Sequence, residues 1–223
     1  RAGRSAARGR DAGGAPAAVD LVAASDAGFS STDNLTNATT PQFSISGVTA
    51  GAVVKLYDGN TLIGQATASG TTVAVTVSSA LAQGTHSISA SQTISGVESE
   101  KSTALAVTID TTNPGFFVST PSGQATAGVA YTFDMQNGEE GQTGFRYSLV
   151  NPPTGMTINE TTGVINWTPS TAQVGSHSYQ VRATDAAGNA RTVNAPMTVT
   201  GAGPAVPTGV DLVAGSDSGF SST

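Results

Sequence analysis

The stretch TVAVTV, residues 72–77, decides the fold class. Valine occupies every second position, and threonine or alanine stands between. This is the two-residue period of a β-strand with one buried face and one solvent-facing face. The pattern therefore predicts a β-sheet built from short, half-buried strands.

Segments of the same character flank this stretch, with turn-forming residues between them at spacings of about ten residues. Asp58, Gly59 and Asn60 predict a hairpin. The strands predicted in this region are 42–46, 52–57, 61–67, 72–77, 85–91 and 103–109. Short strands at this spacing without a helical stretch predict an antiparallel β-sandwich.

A second series of short strands follows residue 113. Its predicted strands are 130–134, 146–150, 164–168, 178–184 and 191–200. We expect Trp167, the only tryptophan, to lie in the core beneath the turn at residues 159–163, with a sugar-stacking role as the alternative. The predicted fold class is all-β, with tandem antiparallel β-sandwiches in an extended array.

A segment near the start of the chain returns near its end. VDLVAASDAGFSST begins at Val19, and VDLVAGSDSGFSST begins at Val210, about 190 residues later, which is room for two domains of about 100 residues. The spacing predicts a tandem array whose repeat unit holds two domains. The predicted boundaries are a linker or tag at 1–16, domains at 17–110 and 111–201, and a linker with the start of the next repeat at 202–223.

Charge and composition exclude several classes of function. Nine basic residues stand against fifteen acidic ones, and four of the basic residues are among the first ten positions. The acidic remainder should repel nucleic acid and anionic membranes and attract cations. No segment approaches the roughly 18 apolar residues of a membrane span. The chain has no cysteine, which excludes disulfides and thiolate metal sites and is common in bacterial surface proteins.

Catalytic motifs are missing from the sequence, so we expect no enzyme activity. The two histidines, His86 and His177, lie in alternating strands and are expected to be structural. Glu139 and Glu140 are adjacent in a glycine-rich loop, where two carboxylates rarely flank one glycosidic bond.

Three motifs of the first region resemble the bacterial Ig-like repeats of large surface adhesins, over about residues 19–110. They are TTPQFSISG (39–47), VKLYDG (54–59) and LAQGTHSISA (81–90). Residues 92–96 read QTISG where such repeats often carry a D-x-x-G-N turn.

Four motifs of the second region resemble the putative-Ig family, a cadherin-like module common in bacterial surface proteins. They are YSL (147–149), PTGM (153–156), INETTGVI (158–165) and ATDAAGN (183–189). The resemblance implies a calcium site at the joint between domains. Its ligands would be Asp110, Asn113, Asn159, Glu160 and Asp185.

The linker supports this expectation independently. A residue that precedes proline is driven to an extended conformation, so the joint before Pro114 should be short and partly rigid. Carboxylate, amide and backbone oxygens are the ligands that Ca²⁺ takes. An Asx-type turn at Asp110 with no ion is the alternative.

A second oxygen-rich group comprises Asp20, Asp26 and Asp33, and Asp211 and Asp217 repeat the first two. Carboxylates separated by glycine and serine cannot pack into an apolar core, and they suit a loop stabilised by a cation. The adhesin resemblance also implies calcium here. The spacing does not match an EF-hand, and a solvated acidic loop is the alternative.

The sequence therefore predicts a structural extender module of a large bacterial cell-surface adhesin or biofilm protein. It would be extracellular and would project a distal binding region, with Ca²⁺ stiffening the interdomain joints. Its expected partners are neighbouring repeats of the same chain, with other copies of itself or host or surface glycans bound through regions outside this fragment. Two alternatives stay open: a self-assembling filament or layer completed by strand donation from residues 210–213, and an accessory carbohydrate-binding module of a secreted enzyme.

Overall fold

The computed structural model of the chain describes residues 13–115, 121, 123–135 and 144–203. The strands of the first domain are β1 (Ala18–Leu21), β2 (Leu35–Thr36), β3 (Gln42–Ser46), β4 (Val53–Asp58), β5 (Thr61–Thr67), β6 (Thr72–Thr76), β7 (Gly84–Ile94), β8 (Val97–Glu98) and β9 (Leu105–Ile109). They form two sheets, ordered β1-β3-β6 and β2-β9-β7-β4-β5, and β8 pairs with β7. Both sheets contribute to one apolar core, as in a β-sandwich.

The alternating valines place β6 in this core as predicted. Val75 is 1% exposed and pairs across the ladder with Phe43, which is fully buried. Val73 pairs with Ile45 in the same register, while Thr72 and Ala74 are exposed. The two-residue period of residues 72–77 therefore predicts both the strand and its buried face correctly.

The hairpin predicted at residues 58–60 joins β4 and β5. Asp58 pairs with Thr61, and Gly59 has a φ of +55°, which glycine adopts without strain. The Asp58 carboxylate lies 2.7 Å from Nδ1 of His86 and accepts a hydrogen bond from the Ser87 amide. The turn thereby fastens to β7, and His86 has a structural role.

A polar network covers the outer face of the larger sheet around Glu98. Its carboxylate accepts hydrogen bonds from Lys55 Nζ at 2.6 Å, Tyr57 Oη at 2.7 Å and Ser91 Oγ at 2.6 Å. The Lys101 ammonium lies 4.3 Å from the centre of the Tyr57 ring, a cation–π contact. These contacts connect β4, β7, β8 and the segment that follows β8.

The strands of the second domain are β10 (Gln124–Thr126), β11 (Tyr131–Asp134), β12 (Arg146–Val150), β13 (Thr157–Ile158), β14 (Val164–Trp167), β15 (Gly175–Thr184) and β16 (Ala190–Thr200). One sheet has the order β10-β16-β15-β12 and the other β11-β14-β13. A separate apolar core lies between them. Trp167 is 3% exposed and donates its indole N–H to the Thr154 carbonyl at 3.1 Å, so it belongs to this core.

Two features of the fold depart from the strand pattern of the sequence. The pairs β2–β9 and β10–β16 are parallel, whereas the other strand pairs in the described residues are antiparallel. The short strands β1, β2, β8, β10 and β13 were not predicted. The strands of two or three residues carry too little periodicity to be recognised, and the pairing of all five depends on long-range partners.

The only helix in the described parts of the chain is a 3₁₀ turn at Thr171–Gln173. Nothing in those parts forms a helix with the length and hydropathy that a bilayer crossing requires.

Candidate functional site

The acidic loop, residues 22–38, leads from β1 through β2 toward β3. The Thr36 hydroxyl closes it, donating to the Ser25 carbonyl at 2.6 Å and accepting from the Ala27 and Ala38 amides. Thr36 is fully buried. One buried hydroxyl therefore holds the two ends of the acidic loop together.

Asp26 lies inside this loop and is 4% exposed. Its Oδ2 accepts one hydrogen bond from the Asn34 amide at 3.3 Å, whereas its Oδ1 is buried without a hydrogen-bond partner. Burial raises the pKa of Asp26 and the Asn34 amide lowers it; the negative charge of Asp33, a side-chain hydrogen bond with Asp33 and the negative charge of Asp20 raise it further. A buried carboxylate oxygen with no donor is costly, at about 1–3 kcal/mol or more.

Asp26 interacts electrostatically with Asp33 and Asp20, and these three residues are called the acidic cluster below. Asp33 Oδ1 accepts a hydrogen bond from the Leu35 amide at 3.1 Å, which is an Asx turn. Among the described residues, no three His, Cys, Asp or Glu side chains converge as a ready metal site. The donor set still fits a hard cation, because Asp26 Oδ1 is an unsatisfied oxygen and Ca²⁺ also takes backbone carbonyls.

The turn between β15 and β16, residues 185–189, forms the near side of the second domain at the joint. Both Asp185 oxygens accept from Asn189: Oδ1 from its amide at 2.8 Å and Oδ2 from its side chain at 3.0 Å. The same Asn189 side chain donates to the Asp110 carbonyl at 2.9 Å. Asn189 is the site residue that the sequence analysis left out of its ligand set, although it ends the ATDAAGN motif.

Asp110 and Asp185 are thus brought to the same joint, as the sequence analysis expects. Asp110 Oδ1 accepts from the Thr112 amide at 2.9 Å, the Asx turn that was the alternative to an ion. Together with Asn113 they line a pocket of about 510 Å³ between the domains, called the joint pocket.

Glu160 and Asn159 lie outside the joint pocket. Arg146 donates to Glu160 Oε1 at 2.6 Å, and the guanidinium sits 4.7 Å from the centre of the Phe29 ring. These residues line a separate open groove of about 460 Å³. Asn159 Oδ1 accepts from the amides of residues 161 and 162. Neither side chain therefore shares the donors or the pocket of Asp110 and Asp185.

The acidic loop also touches the second domain directly. The Asn37 amide donates to the Ala187 carbonyl at 3.1 Å. Gly28 has a φ of +111°, and a Cβ placed on it would lie 1.9 Å from the Ala186 carbonyl oxygen. Only glycine fits at position 28, so the acidic loop contacts the second domain through its backbone.

Several predicted features fall outside the described residues. They are Asp211, Asp217, Glu139, Glu140 and the repeated segment at 210–223.

Comparison with known families and structures follows the same division of the chain. Residues 14–111 match the family described as "Bacterial Ig-like domain", and residues 113–200 match the family described as "Putative Ig domain". Among curated proteins, none matches this chain.

Similar solved structures are multidomain β-proteins. Fibronectin(III)-like modules of Clostridium thermocellum CbhA are 17% identical, with a TM-score of 0.49 over 82% of this chain and 95% of that one. A three-Ig structure of titin is 13% identical, with a TM-score of 0.41 over 75% of this chain and 62% of that one. Mouse cadherin-23 is 16% identical, with a TM-score of 0.30 over 71% of this chain and 55% of that one. None of these likenesses bears on what the chain binds.

The two family matches, the two sandwiches and the two separate cores agree. The chain is a tandem of Ig-like modules, a bacterial Ig-like domain over residues 14–111 followed by a domain of the second Ig family over residues 113–200.

Proposed function

We propose that this tandem is an extender module of a large bacterial cell-surface adhesin or biofilm protein. It acts outside the cell and holds a distal binding region away from the surface. The observation that carries the proposal is the direct contact between the two modules, through Gly28 against Ala186 and Asn37 against Ala187. Direct contacts between consecutive modules limit the relative orientations that the modules adopt, which suits a spacer. The repeat of residues 19–32 at 210–223 supports a serial arrangement.

Calcium is part of this proposal, with the acidic cluster as its strongest site. Asp26 supplies a buried oxygen that lacks a donor, and Asp20 and Asp33 supply neighbouring negative charge. Bound Ca²⁺ would supply the positive charge that offsets their repulsion. The residues of the chain hold the loop that presents these oxygens, through the Thr36 hydrogen bonds. A second ion in the joint pocket, near Asp110, Asn113 and Asp185, stays a prediction.

Thermal melting in CaCl₂ and in chelator tests the calcium role. An ion that binds only the folded state raises the melting temperature, by the equivalent of about 2.7 kcal/mol at a hundred times its Kd. Asp26→Asn should lose most of this rise, and Glu100→Gln, which neutralises an exposed carboxylate elsewhere in the first domain, should keep it. Equal melting temperatures in CaCl₂ and chelator would remove calcium from the proposal.

Small-angle scattering tests whether calcium stiffens the extender. We expect a longer, more uniform particle in CaCl₂ than in chelator, because stiffening reduces bending between the modules. The same end-to-end length under both conditions would show that calcium does not stiffen the chain.

The carbohydrate-binding alternative needs exposed aromatic rings in a row. Trp167, Tyr147 and Tyr179 are 3%, 8% and 1% exposed and belong to the core of the second domain. Stacking on a sugar face requires an accessible ring, so these three residues give that alternative no support. Strand donation by residues 210–213 stays a prediction, because they lie outside the described residues.

A further inference from the structure

We propose that the acidic loop couples cation binding in the first domain to the orientation of the second domain, so that the stiffening ion acts from within one module and not from between two. This inference rests on the proposed function, since it takes calcium in the acidic cluster as its starting point. It adds the route by which the ion acts, which is a mechanical path through residues 22–38.

The far end of the path is a contact that tolerates no adjustment. A Cβ on Gly28 would overlap the Ala186 carbonyl, and a Cβ on Gly188 would lie 3.0 Å from the Gly28 nitrogen. The two backbones therefore meet without side chains between them. Any shift of the acidic loop away from this position separates the domains or breaks the contact.

The adjacent Phe29 extends the contact to β12. Its ring lies under the Arg146 guanidinium, which also pairs with Glu160. Cation–π contacts of this kind are attractive even at exposed sites. Phe29 thus gives the tip of the loop a second point of attachment to the second domain.

The near end of the path is Asp26, two residues before Gly28. Thr36 ties residues 25 and 27, on either side of Asp26, to the returning limb of the loop. On that limb, the amide of Asn37 donates to Ala187 in the second domain. The loop therefore reaches the second domain from both limbs, and the Thr36 hydroxyl links them beside the carboxylate that lacks a donor.

The oxygens between the domains need a cation less than Asp26 does, because they already accept hydrogen bonds. Both Asp185 oxygens and the Asp110 carbonyl already accept hydrogen bonds from Asn189. The Asn189 amide does at the joint what a bridging cation would do, since it connects the linker to the turn. The buried oxygen without a donor is instead Asp26 Oδ1, inside the first domain.

Distance measurements between two spin labels test this coupling. The chain has no cysteine, so Leu62→Cys and Val174→Cys supply the only thiols, one per domain, and both positions are about half exposed. Pulsed electron resonance then gives the distribution of the label-to-label distance in CaCl₂ and in chelator. We expect the distribution to narrow in CaCl₂.

Five variants in this labelled background separate the steps. In CaCl₂ the distance distribution of Gly28→Ala should stay broad. That of Gly51→Ala should narrow like the parent's, because Gly51 also has a positive φ but faces open space. Asp110→Asn keeps the acceptor for the Thr112 amide and should narrow normally. Asp26→Asn should lose the narrowing. Asp33→Asn should reduce it and serves as the second variant if Asp26→Asn unfolds, since Asp33 is exposed.

Calorimetric titration with CaCl₂ separates calcium binding from its effect on the orientation of the domains. Normal calcium binding by Gly28→Ala with no narrowing supports the coupling. Normal narrowing in Gly28→Ala, or loss of narrowing in Asp110→Asn but not in the acidic-cluster variants, would overturn the coupling while leaving calcium binding intact. No binding by the parent chain would overturn the calcium role in the proposed function, and the coupling with it.

Discussion

The side-chain amide of Asn189 donates a hydrogen bond of 2.9 Å to the backbone carbonyl of Asp110, 79 residues earlier in the chain. The same nitrogen donates to Asp185 Oδ2 at 3.0 Å. One amide group therefore closes the β15–β16 turn and connects it to the last residue before the linker. Asn189 is 7% exposed, so water does not readily replace its side-chain amide.

Replacement of Asn189 by alanine should destabilise the second domain. Asp185 and the Asp110 carbonyl would lose donors in a part-buried site, which costs about 1–3 kcal/mol of the free energy of unfolding. Urea denaturation at neutral pH measures this loss in the free energy of unfolding. Asn194→Ala is the matched control, because Asn194 is exposed and accepts a single bond from Gln180; its effect should stay within about 0.5 kcal/mol. Similar losses for the two variants would contradict the role of Asn189.

Thr36→Val should loosen the acidic loop with almost no change of side-chain shape. The Ser25 carbonyl and the Ala27 amide would lose their partner in a buried site, at a cost of about 1–3 kcal/mol. Amide hydrogen exchange should rise at residues 25–38 in Thr36→Val. Thr132→Val removes an exposed hydroxyl, which donates to Asn166, and should leave exchange in the loop unchanged. Unaltered loop exchange in Thr36→Val would show that the hydroxyl does not hold the loop.

His86 should make the first domain less stable as the pH rises through its folded-state pKa. Burial lowers the pKa of His86, but hydrogen bonds to Asp58 and to the Ala82 carbonyl outweigh it, so the pKa is raised above 6.5. A group with a raised folded-state pKa contributes stability that is fully present below its ordinary pKa and is lost above the folded value. NMR titration should show a lower His86 pKa in Asp58→Asn and an unchanged one in Glu100→Gln. The same pKa in Asp58→Asn and the parent chain would refute this account.

Glu98 should have the opposite dependence. Hydrogen bonds from Lys55, Ser91 and Tyr57 lower the pKa of Glu98 from 4.5 to about 2. The stability from this network is present above about pH 4.5 and is lost as the pH falls toward 2. Glu98→Gln should flatten the pH dependence of the melting temperature in this range, and Glu100→Gln should not. Parallel melting curves for Glu98→Gln and the parent chain would contradict the prediction.

Local pattern predicted the strands well where they are long. The segments 42–46, 61–67 and 146–150 have the bounds that the structure gives them, and β7 extends its predicted segment at both ends. The hairpin at Asp58 was correct because turn chemistry is carried by adjacent residues. The strand β1 was missed although its burial alternates and two other strands of four residues, β11 and β14, were predicted.

The candidate site was harder to predict than the fold. Asp110 and Asp185 meet at the joint because Asp110 follows the last strand of the first domain and Asp185 begins a turn of the second domain. The pairing of Glu160 with Arg146 depends on which side-chain partner lies within reach, and 14 residues separate the two in sequence. Asn189 appeared only as the end of a turn motif, and its bond to Asp110 has no local signal.

The sequence by itself determined that the chain is two β-sandwiches in series, because alternation and turn residues act over a few neighbouring positions and can be recognised without a partner. It also determined that the chain is acidic and lacks cysteine. Only the tertiary structure decided which carboxylate is buried without a donor, which ones are satisfied by Asn189 and Arg146, and that Gly28 lies against Ala186. Those features depend on tertiary contacts, within one domain or between the two, and such contacts exist only after the chain has folded.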